Sequence, residues 1–113
     1  MKKMALNKTW EECLRMWKWI VERTNNRKYR DDTVTYLKRK WLIEHGYNPD
    51  LIVHYCFFCE AAIADNRILP CDGCPGRKVN SRFQCTNHTY FWKEYPHRFY
   101  KKLLELDAKR RSK

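Results

Sequence analysis

The stretch that decides this fold is Tyr55-Cys56-Phe57-Phe58-Cys59-Glu60, with Pro70-Cys71-Asp72-Gly73-Cys74-Pro75-Gly76 following it; eleven residues separate Cys59 from Cys71. Each Cys-x-x-Cys pair lets two sulfurs converge on one ion while the residues between them supply the turn. Tetrahedral coordination by sulfur suits zinc, and a site closed by four protein ligands is structural rather than catalytic. Gly73, Pro75 and Gly76 fit the tight backbone of a metal knuckle. Cys59 falls where a short helix is expected to begin, whose dipole would favour a thiolate. The ligand set predicted from this spacing is Cys56, Cys59, Cys71 and Cys74. Cys85 is an alternate ligand, because any four of the five cysteines could coordinate. His54 and His88 are imidazole alternatives, although each reads more readily as a surface or packed histidine. An iron–sulfur site or unligated thiols would use the same residues. Zinc in such a site is worth about 10–16 kcal/mol, comparable with the ~5–15 kcal/mol net stability of a whole domain. The ion would therefore decide whether this half of the chain folds.

Working outward, the chain has 113 residues, of which 43% are hydrophobic and 15% aromatic, enough for one domain with a modest core. Its longest apolar runs, Trp19 to Val21 and Leu51 to Val53, fall far short of the ~20 residues of a membrane span. Met1, Lys2 and Lys3 lead into Asn7 and Lys8 with no secretory-type apolar region. A cytoplasmic setting is expected, where cysteines serve metal or catalysis rather than disulfides. The sixth cysteine, Cys13, lies in a helical pattern and reads as a small core residue.

Thr9 followed by Glu12 matches a capping box, and a helix is predicted from about Trp10 to Thr24 on a stripe of Trp10, Leu14, Trp17 and Val21. Asn25 to Arg30 reads as a polar, basic link. Asp31 or Asp32 is expected to cap a second helix with Val34, Leu37, Trp41 and Leu42 inward, and with Lys38, Arg39 and Lys40 across its polar side, as a solvated face or, alternatively, a phosphate contact. Gly46 and Asn48-Pro49-Asp50 stop it. Leu51 to Tyr55 reads as extended, Glu60 to Asp65 as a brief helix, and His97 to Ala108 as the last helix, built on Phe99, Tyr100, Leu103 and Leu104. The fold class is mainly α, with room for a little β, around a central zinc-binding loop region. A single domain is expected, with a helical part over 1–50, a zinc-binding part over 51–87, an aromatic segment and helix over 88–108, and a mobile basic tail over 109–113.

Two catalytic readings compete with this one. Pro70-Cys71-Asp72-Gly73-Cys74 matches the second half of a zinc deaminase signature, but the glutamate two residues after the first ligand is missing: His54 is followed at that distance by Cys56, and Cys59 by Ala61. His88, His97, Asp65 and Glu94 are raw material for a metal-dependent nuclease, yet no spacing binds them into a site. The chain is read as a binding module and not as an enzyme.

Lysines and arginines number 24 against 13 aspartates and glutamates, a formal net charge of +11. A zinc tetrathiolate would remove only part of this surplus, which favours nucleic acid, an anionic surface or an acidic partner. The predicted contact residues are Arg77, Lys78, Arg82, Lys101 and Lys102. On one face beside Phe91, Trp92 or Tyr95 they would suit a phosphate backbone with stacked bases. The same aromatics and arginines would also serve a protein interface.

The order Cys56, Cys59, Cys71, Cys74-Pro75, Cys85, then Tyr90 and Trp92, resembles that of small phage-encoded zinc-cysteine proteins, over roughly the middle third of the chain. The resemblance implies a phage or prophage origin and action in the cytoplasm of an infected bacterium. There such accessory proteins modulate or inhibit host machinery, anti-CRISPR proteins among them. The function expected is thus a zinc-stabilised basic module engaging nucleic acid or a host protein that handles it. The alternative is a phage inhibitor of a host defence nuclease.

Overall fold

Helices account for the regular structure of the computed structural model, which describes residues 5–52, 55–64 and 74–112; no strand occurs among them. The first helix, α1 (Leu6–Glu22), buries Trp10, Cys13, Met16, Trp17 and Ile20 at intervals of three and four, the spacing that lines one face. It starts a turn before the predicted capping box. Thr9 donates its N–H to the Ala5 carbonyl at 2.9 Å and sits inside the helix. Glu12 does not turn back to cap either, because it has stronger donors. Tyr47 Oη donates to its Oε2 at 3.0 Å, Arg15 Nη1 donates to Oε1 at 2.7 Å, and Lys8 Nζ lies 3.2 Å from Oε1. A buried carboxylate is thereby matched with charge and hydrogen bonds, as burial requires.

The link to the second helix is more structured than its polar composition predicts. Tyr29 is buried, donates its N–H to the Glu94 carbonyl at 2.7 Å, and accepts from the Asn25 N–H through its hydroxyl at 2.7 Å. Asp31 Oδ1 accepts from the Thr33 N–H at 3.1 Å at the start of α2 (Thr33–Glu44). Gly46, at φ +82°, ends this helix where a residue with a Cβ is strained, and the Tyr47 N–H closes back on the Leu42 carbonyl at 2.9 Å. The Asn48 side chain then caps a short 3₁₀ turn, Pro49–Leu51, where an extended segment was expected to begin.

The other elements are α3 (Phe57–Ala64), α4 (Pro75–Val79) and α5 (Pro96–Arg111). The third begins earlier than predicted, the fourth was read only as tight backbone, and the fifth is longer than predicted. Its extra turn takes up Lys109, Arg110 and Arg111, which were expected in a mobile tail. Arg110 is held there by three contacts. Its guanidinium lies 4.8 Å over the Trp10 ring, Nη1 donates to Asn7 Oδ1 at 3.0 Å, and Nε pairs with Asp107 Oδ1 at 2.9 Å.

Helix α1 packs against α5, α3 and α2, and α4 against α3 and α5, so the buried side chains form one cluster. The two phenylalanines between Cys56 and Cys59 are its anchors. Phe58 meets the Trp10 ring edge-on at 4.8 Å, and Phe57 meets Trp41 at 5.9 Å and Tyr47 at 5.2 Å. Burying each ring is worth about 1.5–3 kcal/mol. The first Cys-x-x-Cys is thus pinned to both α1 and α2.

Candidate functional site

Five cysteines line one cavity, four of them from the segments predicted to bind metal. Cys56 precedes α3, Cys59 lies in its first turn, Cys74 precedes α4, and Cys85 sits in the segment leading to α5; all line a cleft of about 340 Å³. Cys13, Trp17, Phe83 and Trp92 close its apolar side, and Lys38 and Arg77 supply charge. Among the described residues, no three histidine, cysteine, aspartate or glutamate side chains stand in ligating geometry as placed. Cys71, His54 and Asp65 lie outside the described residues. Cys85, predicted as the alternate, thus joins Cys56, Cys59 and Cys74 around the cleft, while His88 is exposed.

The thiols are electrostatically unequal. The hydrogen bond donated by the Cys59 thiol holds Cys56 down at about 6 against its burial, helped by the charge of Lys38 and by the N–H groups of Cys59 and Phe58. The helix start therefore favours the Cys56 sulfur, not that of Cys59 as the sequence implied. Cys59 is raised by that same hydrogen bond and by burial. Burial pushes Cys74 up to about 12, although the Gly76 and Arg77 N–H groups oppose it. Cys13 is raised by burial, and it is a core residue at 1% exposure, as predicted. A cation drawing protons off this cluster would have several buried sulfurs at hand, since metal binding requires the thiolate.

Lys38 is the departure that sequence reasoning missed. It was placed on the solvated face of α2, yet it is 2% exposed and its Nζ lies 3.8 Å from the centroid of the Trp92 ring. The sequence signal was available: position 38 lies beside Leu37 and three before Trp41, within the apolar stripe. Arg39 follows the prediction more closely, reaching Asp50 Oδ1 at 3.0 Å and the Tyr55 hydroxyl at 3.3 Å.

Arg77 is drawn toward the cleft and donates through Nε and Nη2 to the Ser81 carbonyl at 3.3 and 3.2 Å. Lys78, Arg82 and Lys101 are exposed, and Lys102 lies 5.6 Å from the Tyr90 ring and 3.7 Å from Glu105. Tyr90 stacks on Phe83 at 5.9 Å and adjoins Phe99 at 6.5 Å. Arg98 donates to the neighbouring Thr89 carbonyl at 3.2 Å. Arg98 and Lys102 thus lie beside the half-buried Tyr90 ring, whose neighbours Phe83 and Phe99 are buried, and Arg82 is exposed. Phe91, Trp92 and Tyr95 are partly buried; Trp92 covers Lys38, and Tyr95 lies 4.3 Å beneath Arg98.

Two of the residues that could serve catalysis are engaged separately. His97 Nε2 donates to the Thr24 carbonyl at 3.0 Å, a bond that places the proton on that nitrogen, and Glu94 Oε2 lies 3.5 Å from Lys28 Nζ. No helix among the described residues is long and apolar enough to cross a membrane. Compared with protein-family models, curated proteins and solved structures, the chain matches none.

Proposed function

We propose that this chain is a non-enzymatic, zinc-stabilised basic module that engages nucleic acid or a host protein that handles it, of the kind phages encode. The observation that carries the nucleic-acid reading is the placing of Arg98 and Lys102 beside the half-buried Tyr90 ring, with exposed Arg82 next in the chain to Phe83, on which Tyr90 stacks. Exposed Lys78 and Lys101 extend the charge on the adjoining helices. Cations beside a half-covered aromatic suit a phosphate backbone and a stacked base together. The donor set fits a thiophilic ion: Cys56, Cys59, Cys74 and Cys85 would hold it, with Cys71 the fifth candidate from the sequence. Bound zinc would crosslink α3, α4 and the segment before α5 without presenting an open coordination position.

A second reading, inhibition of a host defence nuclease by protein contact, draws on a different surface. Tyr36, Ile43 and Leu51 are 61%, 56% and 63% exposed, large apolar groups of the kind that interfaces cover.

Native mass spectrometry with metal analysis, followed by anisotropy titrations of labelled DNA and RNA over a range of salt, tests both parts. One zinc per chain is expected, with log affinity falling by about 0.7–0.9 per phosphate contact for each tenfold rise in salt. Lys78→Glu and Arg82→Glu should weaken binding and flatten that slope. Iron with sulfide in place of zinc would reassign the metal, and salt-independent or absent nucleic-acid binding would move the assignment to the protein-binding surface.

A further inference from the structure

We propose that Lys38 is the built-in countercharge of the thiol centre: its ammonium, held over Trp92 and lining the cleft shared by Cys56, Cys59, Cys74 and Cys85, offsets the negative charge of a zinc tetrathiolate. This rests on the metal reading given above. A lysine that merely laid its stem along α2 would carry its ammonium to water. At 2% exposure Lys38 does not. Its Nζ instead lies 3.8 Å from the Trp92 ring centroid and 5.8 Å from that of Trp17, and Trp92 donates its backbone N–H to the Cys85 carbonyl at 3.3 Å. The ring that seats the cation is therefore tied to a candidate ligand residue.

Burying an ammonium costs several kcal/mol unless negative charge faces it. The groups whose charge pulls the Lys38 ammonium back toward its ordinary value, against burial, are the sulfurs of Cys56, Cys13, Cys59 and Cys85. Zinc with four thiolates carries a net charge of −2, and one adjacent ammonium halves it. Groups beyond the ligands that tune a metal site in this way typically account for ten- to a hundred-fold in metal affinity.

Two effects of unequal size test the assignment in the full chain, with zinc affinity read by chelator competition and the stability of the zinc-bound and metal-free protein by denaturant unfolding. Lys38→Met should bind zinc about ten- to a hundred-fold more weakly. The metal-free Lys38→Met protein should fold and lose less stability than the zinc-bound one, because fewer thiolates face the cation before the metal binds. Lys38→Arg should recover most of the zinc affinity. Unchanged affinity in Lys38→Met overturns the assignment. So does a metal-free protein that loses as much stability as the zinc-bound one, or that fails to fold, either of which marks a packing role. Wild-type protein that binds no zinc overturns the metal reading itself, an outcome distinct from wild type binding and Lys38→Met binding equally well.

Discussion

At Gly76 an added Cβ would stand 2.7 Å from both Cδ2 and Cε2 of Phe83. That ring is 1% exposed and stacked on Tyr90, so it can yield only by shifting into the cleft it lines and giving up that stack. Gly76→Ala should cost about 1–3 kcal/mol in denaturant unfolding, the range for overpacking a filled core. Glu12 sets a pH dependence. Burial pushes its carboxyl up, but hydrogen bonds from Lys8, Tyr47 and Arg15 outweigh this and hold it below the usual glutamate range. Its stabilisation is therefore present in full above the unfolded carboxyl's pKa of ~4.3 and is lost as the pH falls through the lower folded value. Glu12→Gln should be less stable than wild type by about 1–3 kcal/mol at neutral pH. Denaturant midpoints measured downward from about pH 5 should show that gap closing. The pairing itself was not legible in the sequence: Thr9 and Glu12 satisfy the local capping pattern, and only the arrival of Tyr47, 35 residues away, shows why the carboxylate is used elsewhere.

Among the elements, α1, α2 and α5 were legible because an apolar stripe at helical spacing survives whatever the helix packs against. Their ends were not. The last turn of α5 reads as a basic tail until Trp10 and Asn7 are brought alongside it. Arg110→Ala should lower stability by roughly 1 kcal/mol through loss of the ring contact and the exposed hydrogen bond. In a thermal melt that is about 4–8 °C, whereas exposed Lys109→Ala should leave the melt unchanged. The short α4 was hidden for another reason: five residues carry too little periodicity to read, and its Pro75-Gly76 start suits a turn as well as a helix. Cys85 joins the cleft through tertiary folding, so spacing could name it only as an alternate.

For the molecule as a whole, the thiol cleft and the helical core are joined by the two rings of Cys56-Phe57-Phe58-Cys59. Chelation should release the region from about residue 51 to residue 85, read as faster amide hydrogen exchange there, with slower exchange retained where α1 and α5 pack together. A thermal melt unchanged after complete zinc removal would contradict a structural ion. The packing of α1 against α5 also has a consequence for synthesis. The rings of Trp10 and Trp17 are translated well before Phe99, which meets Trp17 at 4.8 Å, and Arg110, which covers Trp10. Until they leave the ribosome, the nascent chain carries an unsealed tryptophan face next to unligated cysteines. The core of this protein then closes only once α5 has been made, and the interval before that is when aggregation and thiol oxidation compete with folding.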